Sequence, residues 1–297
     1  MAEAPTLSQQ AVVTAPSLTG MRRRGRSRRW RNPIGLTGAT VILLTLVITI
    51  FAPLIAPQDP SDQGATRLLA PSRDYWMGTD ELGRDTFSRI IYGARPTMQV
   101  GLIAVAIAFT FGTLAGVLSG FYGGVVSMLV MRLTDIMLAF PGLILAIVIA
   151  GLLGPSARNA MIAIGIMYIP GFTRVVFGTT LAILVEPYLE SGRVLGVPDW
   201  WLMLRYVLPN ILAPVIVMVT ISLSTAILNA AALSFLGLGA QPPAPAWGSM
   251  LNIARSYMGI SPWMAIFPGL AIMIVVLGFN FLGDGLRDIL DPRMRVQ

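Results

Sequence analysis

Between Tyr188 and Asn210 the chain reads YLESGRVLGVPDWWLMLRYVLPN, and charged side chains return there between two long apolar runs. Glu190, Asp199 and Arg205 are groups suited to ion pairing at a surface. The rest of the chain supports that reading. It contains no cysteine, histidine or lysine, so thiolate nucleophiles, imidazole bases, disulfides and the usual zinc ligand sets are excluded. A nucleotide-binding P-loop is excluded too, because its lysine must reach the phosphates. Tyr188–Asn210 reads as a docking element, suited to a soluble partner pushing on one side while membrane helices move on the other; an ordinary amphipathic connector is the alternative.

The elements that would position those charges follow from local signals. A short helix opened by Glu190, with the small residues Ser191 and Gly192 next, runs to a turn at Gly196. Pro198 then stands at a first helical position with Asp199 beside it, and a second helix carrying Arg205 closes before Leu208-Pro209-Asn210. The spacing predicts two short helices meeting at an elbow.

Composition sets the surroundings of that elbow. Hydrophobic residues are 55% of the 297 positions and charged residues 12%, against about 25% charged in a soluble domain. This predicts an all-α polytopic membrane protein. Residues 1–32 are polar and then basic, with seven arginines between Arg22 and Arg31, and are expected to be a disordered cytoplasmic segment. A first span is expected over 33–57, followed by an extracytoplasmic loop at 58–98 with an amphipathic helix. A core at 99–285 holds five more spans, near Val100–Phe121, Val125–Leu153, Met161–Leu184, Ile211–Phe235 and Trp263–Leu282, and 286–297 is a tail. Six spans place both termini and the 186–210 elbow on one side. The arginine run marks that side as cytoplasmic. The loop assigned to the other side carries five arginines against six carboxylates from Gln58 to Thr97, so the excess positive charge lies with the elbow.

Within the spans, Gly112, Gly116, Gly120 and Gly124 recur every four residues and predict one close-packing helix face. Asp135 follows Arg132 by three residues and is expected to pair with it on a shared face, with a place in the pathway as the alternative for an intramembrane charge. Asn229 and Asn280 are read as hydrogen-bonding between helices or lining a passage. Sixteen methionines without Cys or His read as packing residues, not as metal ligands. Asp80, Glu81, Arg84 and Asp85 form a dense charge cluster before the second span, suited to bracing an interfacial helix or to touching a partner outside. Ser234–Leu251, apolar yet rich in Gly and Pro, predicts a partly buried, re-entrant loop.

Several of these blocks resemble one family. The elbow is similar to the EAA loop of importer-type ABC transporter permeases, with Glu190, Gly196 and Leu208-Pro209-Asn210 in place and Ser191-Gly192 where two alanines are usual. The G-T-D-E-L-G-R-D run within Tyr75–Met98, the block Ala232–Leu251, and the F-P-G-L and L-G-D-G-L-R-D-I-L-D-P-R runs of Pro262–Arg293 resemble C-type permease subunits of dipeptide, oligopeptide and nickel importers. The resemblance implies a type I (MetI-like) permease fold and a place in a bacterial inner membrane. It implies a homologous second permease, two ATPase domains that hold the ATP and Mg, and an extracytoplasmic solute-binding protein, with membrane lipid around and no nucleic acid. It implies no catalysis and no cofactor in this chain itself. Peptides are the expected cargo, with nickel complexes or haem as alternatives within the class. An ion-coupled secondary carrier is the rival from another class, and it would need charged coupling groups near the bilayer midplane.

Overall fold

The computed structural model describes residues 33–290; the arginine run and most of the tail lie outside them. Eleven α-helices follow one another among the described residues, and they contain no named strand. They are α1 (Pro33–Ile50), α2 (Ala52–Ile55), α3 (Thr86–Tyr122), α4 (Gly124–Leu138), α5 (Gly142–Leu153), α6 (Ala157–Leu184), α7 (Pro187–Val194), α8 (Asp199–Leu202), α9 (Leu208–Phe235), α10 (Trp247–Ala254) and α11 (Trp263–Leu290).

Five segments are long and apolar enough to cross a bilayer: α1, α3, α6, the stretch from α8 through α9, and α11. Leu44, Leu102, Leu129 and Leu152 among others stay exposed. Helices that are apolar on all sides suit lipid, not water. The expected third span, Val125–Leu153, is not one helix. It breaks at Ala139–Pro141, and α4 and α5 diverge by 92°. Pro141 lacks the N–H a continuing helix would need and instead sits at the N-cap of α5.

The bent pair nevertheless runs from one end of α6 to the other. Its start follows Gly120, whose neighbours are Thr180 and Phe177 at the elbow end of α6. Further along, Asp135 pairs with Arg174 and Gly142 lies against Met167. The pair ends beside the start of α6, where the Asn159 amide donates to the carbonyls of Leu153 (2.7 Å) and Gly154 (2.9 Å). The contacts therefore run down α6 in order, which makes the bent pair a sixth candidate crossing.

The α3–α6 interface is the most extensive in the bundle. A Cβ placed on Gly112 would lie 2.5 Å from Phe172 Cβ, one on Gly116 2.7 Å from Val176 Cβ, and one on Gly120 2.8 Å from Thr180 Cβ. Only hydrogen fits between these backbones. Gly124 is a correction to the predicted stripe. α3 ends at Tyr122, Gly123 and Gly124 have φ of 63° and 50°, and Gly124 faces open space, so it turns the chain into α4 instead of packing.

Ser234–Leu251 folds inward as expected. α10 packs against α9 and α11 with Trp247 2% exposed, and the Trp247 indole N–H donates to Ile90 O at 2.9 Å.

Gly116→Ala is expected to lower the thermal stability of the detergent-purified protein by about 1–3 kcal/mol, because the added methyl meets backbone as well as side chain. Gly151→Ala, where a Cβ meets nothing within 4 Å, is expected to be neutral or slightly stabilising in the same melt.

Candidate functional site

The elbow is built from a helix, a glycine turn and a joint. α7 opens at Pro187 rather than at Glu190, with Glu190 in its first turn and Arg193 in its last. That order of charge matches the helix dipole. The helix stops by a Schellman closure. Gly196 N–H donates to Arg193 O (3.0 Å) and Val197 N–H to Gly192 O (3.1 Å), and Gly196 adopts φ 76°. This backbone twist, and not lack of space, requires glycine, since nothing lies within 4 Å of a Cβ there. Pro198 is the N-cap of α8 and Asp199 its first residue, one position from the expectation.

The second helix does not close before Pro209. From α8 the chain passes through a π-helical turn, Met203–Val207, straight into α9. Pro209 has no N–H and its ring crowds the carbonyl four residues back. The helix widens by one residue to accommodate it, so Leu208 N–H reaches Met203 O. The Asn210 amide then donates to Tyr206 O at 2.6 Å and lies 3.3 Å from the Tyr188 hydroxyl, which ties α9 back to α7. Leu208-Pro209-Asn210 is thus a joint between elbow and span, not a terminator.

The elbow's inner side belongs to the bundle core. Leu189 and Leu202 are buried in one cluster with Phe121, Ile183, Val207 and Ile211. A Cβ on Gly192 would be 2.9 Å from Leu202 Cδ2, so the small residue lets α8 close on α7. Ser191 caps its own turn through Pro187 O (2.9 Å), and the Arg193 guanidinium sits 5.3 Å from the centre of the Phe121 ring at the end of α3. The outer side is different. Glu190, Asp199 and Arg205 are exposed, with no ion-pair partner among the described residues. Val194 and Leu195 at the tip are 83% and 81% exposed.

Inside the bundle, Asp135 does not pair with Arg132. It bonds Arg174 of α6, 39 positions on, because the break at Pro141 swings α4 across the elbow-end half of α6. Asn229 donates to the Tyr168 hydroxyl (2.9 Å), which donates to Thr225 Oγ1 (2.7 Å). Asn280 Oδ1 accepts from Ser224 Oγ (2.7 Å), linking α11 to α9. Both asparagines therefore join helices. Tyr168, Thr225 and Arg174 had no sequence signal beyond being polar in an apolar run.

At the opposite end the charge cluster is corrected more strongly. Asp80, Arg84, Asp85 and Arg89 are 5%, 3%, 1% and 2% exposed, so they present no surface to an outside partner. Arg84 Nε binds Asp80 (2.6 Å), Arg84 Nη2 binds Glu81 (2.7 Å), and Arg89 Nε approaches Asp80 at 3.3 Å. Asp80 also accepts from the N–H groups of Leu82 and Arg84, both at 2.9 Å. Asp85 caps α3 through Ser88 N–H at 2.8 Å. Burial, then the neighbouring Asp80, pushes the Glu81 carboxyl above its ordinary value. No separate interfacial helix exists here, since α3 runs unbroken from Thr86 into the second span. The cluster is a clasp that folds loop 57–85 onto the bundle.

Asp80→Asn would leave two buried guanidiniums without their shared counter-charge and is expected to cost about 3–5 kcal/mol of stability. Glu190→Gln on the exposed elbow should not shift the same thermal melt. An Asp80→Asn protein that melts normally but loses a binding partner would restore the surface reading.

Comparison with known proteins agrees with this architecture. The family described as the inner membrane component of binding-protein-dependent transport systems matches residues 112–296. The N-terminal transmembrane domain of oligopeptide transport permease C matches residues 22–71. The chain is 47% identical over 266 residues, 89% of its length and 88% of the relative's, to a dipeptide transport system permease protein of Alkalihalophilus pseudofirmus. It is 45% identical over 271 residues, 90% of its length and 89% of the relative's, to a glutathione transport system permease protein of Escherichia coli. Its fold is similar to a chain of the MetNI methionine ABC transporter in an inward-facing conformation, with TM-score 0.56 and 19% identity over 68% of this chain and 97% of that one. A bundle of up to six candidate crossings, an elbow fused to two of them, and matches over nearly the whole described length lead to one assignment: the chain belongs to the inner membrane permease components of binding-protein-dependent transport systems, as an ABC importer permease subunit of the peptide transport family.

Proposed function

We propose that this subunit carries small peptides inward, and that the elbow is where an ATPase domain in the cytoplasm drives it. The observation that carries the reading is the two-sided construction of the elbow. Its inner side is continuous with the bundle core, while Val194 and Leu195 stand bare at its tip. Burying two such side chains in a partner's cleft contributes about 1.5–3 kcal/mol each. Glu190, exposed in the first turn of α7, would pair with a basic residue of that cleft. ATP and Mg would be held by the ATPase domains.

Motion would enter through three connections. α6 leads directly into α7, α9 leaves through the π turn, and Arg193 rests on the end of α3. A push on the elbow therefore displaces α3, α6 and α9 together. A homologous second permease would complete the passage between two such bundles, and a solute-binding protein would deliver cargo at the opposite end. The arginine run before α1 supports a cytoplasmic N-terminus and, by six crossings, a cytoplasmic elbow and C-terminus. The relatives named for dipeptide and glutathione transport support a peptide cargo, glutathione being itself a small peptide.

Replacing both Val194 and Leu195 with Asp is expected to reduce ATP-dependent dipeptide uptake by reconstituted importer more than about tenfold, matching loss of roughly 1.5–3 kcal/mol at each docking side chain. The thermal stability of the variant should match the parent, because both positions are exposed. Full uptake by this variant, or uptake by vesicles lacking any ATPase, would refute the coupling.

A further inference from the structure

The face of α6 that turns away from α3 is open and carries a charge, Arg174, at membrane depth. Phe172, Val176 and Thr180 meet the glycines of α3, while Gly171, Arg174 and Gly178 share the other side of the helix at i, i+3 and i+7. A Cβ on Gly178 would meet nothing within 4 Å, and one on Gly171 only the end of the Met218 side chain of α9, at 3.4 Å. At one edge of this glycine floor stands the Tyr168–Thr225–Asn229 cluster, shared with α9. At the other stands the Arg174–Asp135 pair, shared with α4, its side chains 55% and 50% exposed. At 1.5 Å rise per residue, Arg174 lies about 15 Å and Tyr168 about 24 Å from the elbow end of α6. Both depths fall inside a hydrocarbon layer of about 30 Å.

A half-bare ion pair at that depth is costly against acyl chains, and such charges face a bundle interior or a water-filled cavity. Arg132 lies on α4 three positions before Asp135 and has no ion pair among the described residues, so the deep charges of this region carry an excess of one positive. A guanidinium fork matches a carboxylate with two parallel hydrogen bonds. The glycine floor leaves room for a backbone to approach it.

Building on the peptide-importer reading above, we propose that the groove between α4 and α9, floored by Gly171 and Gly178, is the wall of the passage and a subsite for a peptide's charged ends. Arg174 takes the terminal carboxylate and Asp135, released from Arg174, takes the terminal ammonium. An extended dipeptide spans about 7 Å between its ends, which two side chains parting from contact can bracket. One ion pair is exchanged for two, so the peptide is held without leaving a charge uncompensated, and re-formation of the Arg174–Asp135 pair favours release.

The natural absence of cysteine makes a direct test available. Gly178→Cys, in importer assembled with its second permease and ATPase, is expected to react with membrane-impermeant methanethiosulfonates. The anionic sulfonatoethyl reagent should outpace the cationic trimethylammonioethyl reagent. Leu43→Cys on the exposed side of α1 should stay unlabelled. Adding Arg174→Gln should abolish the anion preference and lower uptake of dialanine by roughly tenfold, the effect of losing one charge-assisted hydrogen bond. Arg174→Lys, which keeps the charge, should retain the preference and guards against misfolding of the Gln variant. An unreactive Gly178→Cys, equal rates with both reagents, or undiminished dialanine uptake by Arg174→Gln each overturn the proposal. If the parent importer does not take up dialanine at all, the cargo reading fails, and the labelling rates judge the groove by themselves.

Discussion

The contact on which this structure depends is the glycine seam between α3 and α6. In a bilayer there is little hydrophobic drive for one apolar helix to choose another, so association rests on close packing and on a few polar bonds. Gly112, Gly116 and Gly120 bring the α3 backbone against Phe172, Val176 and Thr180 with no room for a methyl group. Everything that makes the elbow useful hangs from this seam. α7 continues from the end of α6, Arg193 reaches back to the end of α3, and Leu189 and Leu202 fill the core at the same level. A loose α3–α6 pair would let the elbow bend without moving the spans.

The same seam decides which face of α6 stays open. With one side committed to α3, the opposite side, Gly171, Arg174 and Gly178, is left between α4 and α9. At the break at Pro141 the chain turns by 92°, and α4 delivers Asp135 to Arg174. Polar bonds tie the remaining helices around this arrangement: Tyr168, Thr225 and Asn229 join α6 to α9, and Ser224 with Asn280 joins α9 to α11. At the far end, the buried Asp80–Arg84–Arg89 clasp and Trp247 hold the loop and α10 against the start of α3.

Local signals in the sequence were legible and long-range ones were not. The turn at Gly196, the start of α8 beside Pro198, three members of the glycine face and the buried Ser234–Leu251 loop could be read directly, because each depends on residues within one or two turns. Asp135 was assigned to Arg132 because spacing on a helix points there; its partner lies 39 positions away and is reached only through the bend. The Asp80–Asp85 charges read as a surface because sequence shows how many charges there are but not that they neutralise one another. Their burial follows from Arg89, four positions beyond Asp85, and from the loop that closes over them. Pro209 looked like a helix stop for the same reason. A proline interrupts the α-helical ladder, yet here the chain widens into a π turn and stays helical, with the Asn210 amide donating to Tyr206 O beside it.

The central claim is that the elbow and the α3–α6 pair move as one body when ATP acts on the complex. The distance between spin labels at Leu204, on the elbow, and Thr110, on α3, tests it most directly; both are exposed and no native cysteine competes. Measured by pulsed electron resonance in assembled importer, the account predicts one distance distribution with and without ATP, while the distance from Leu204 to a label on the second permease changes. A Leu204–Thr110 distance that shifts with nucleotide would contradict it.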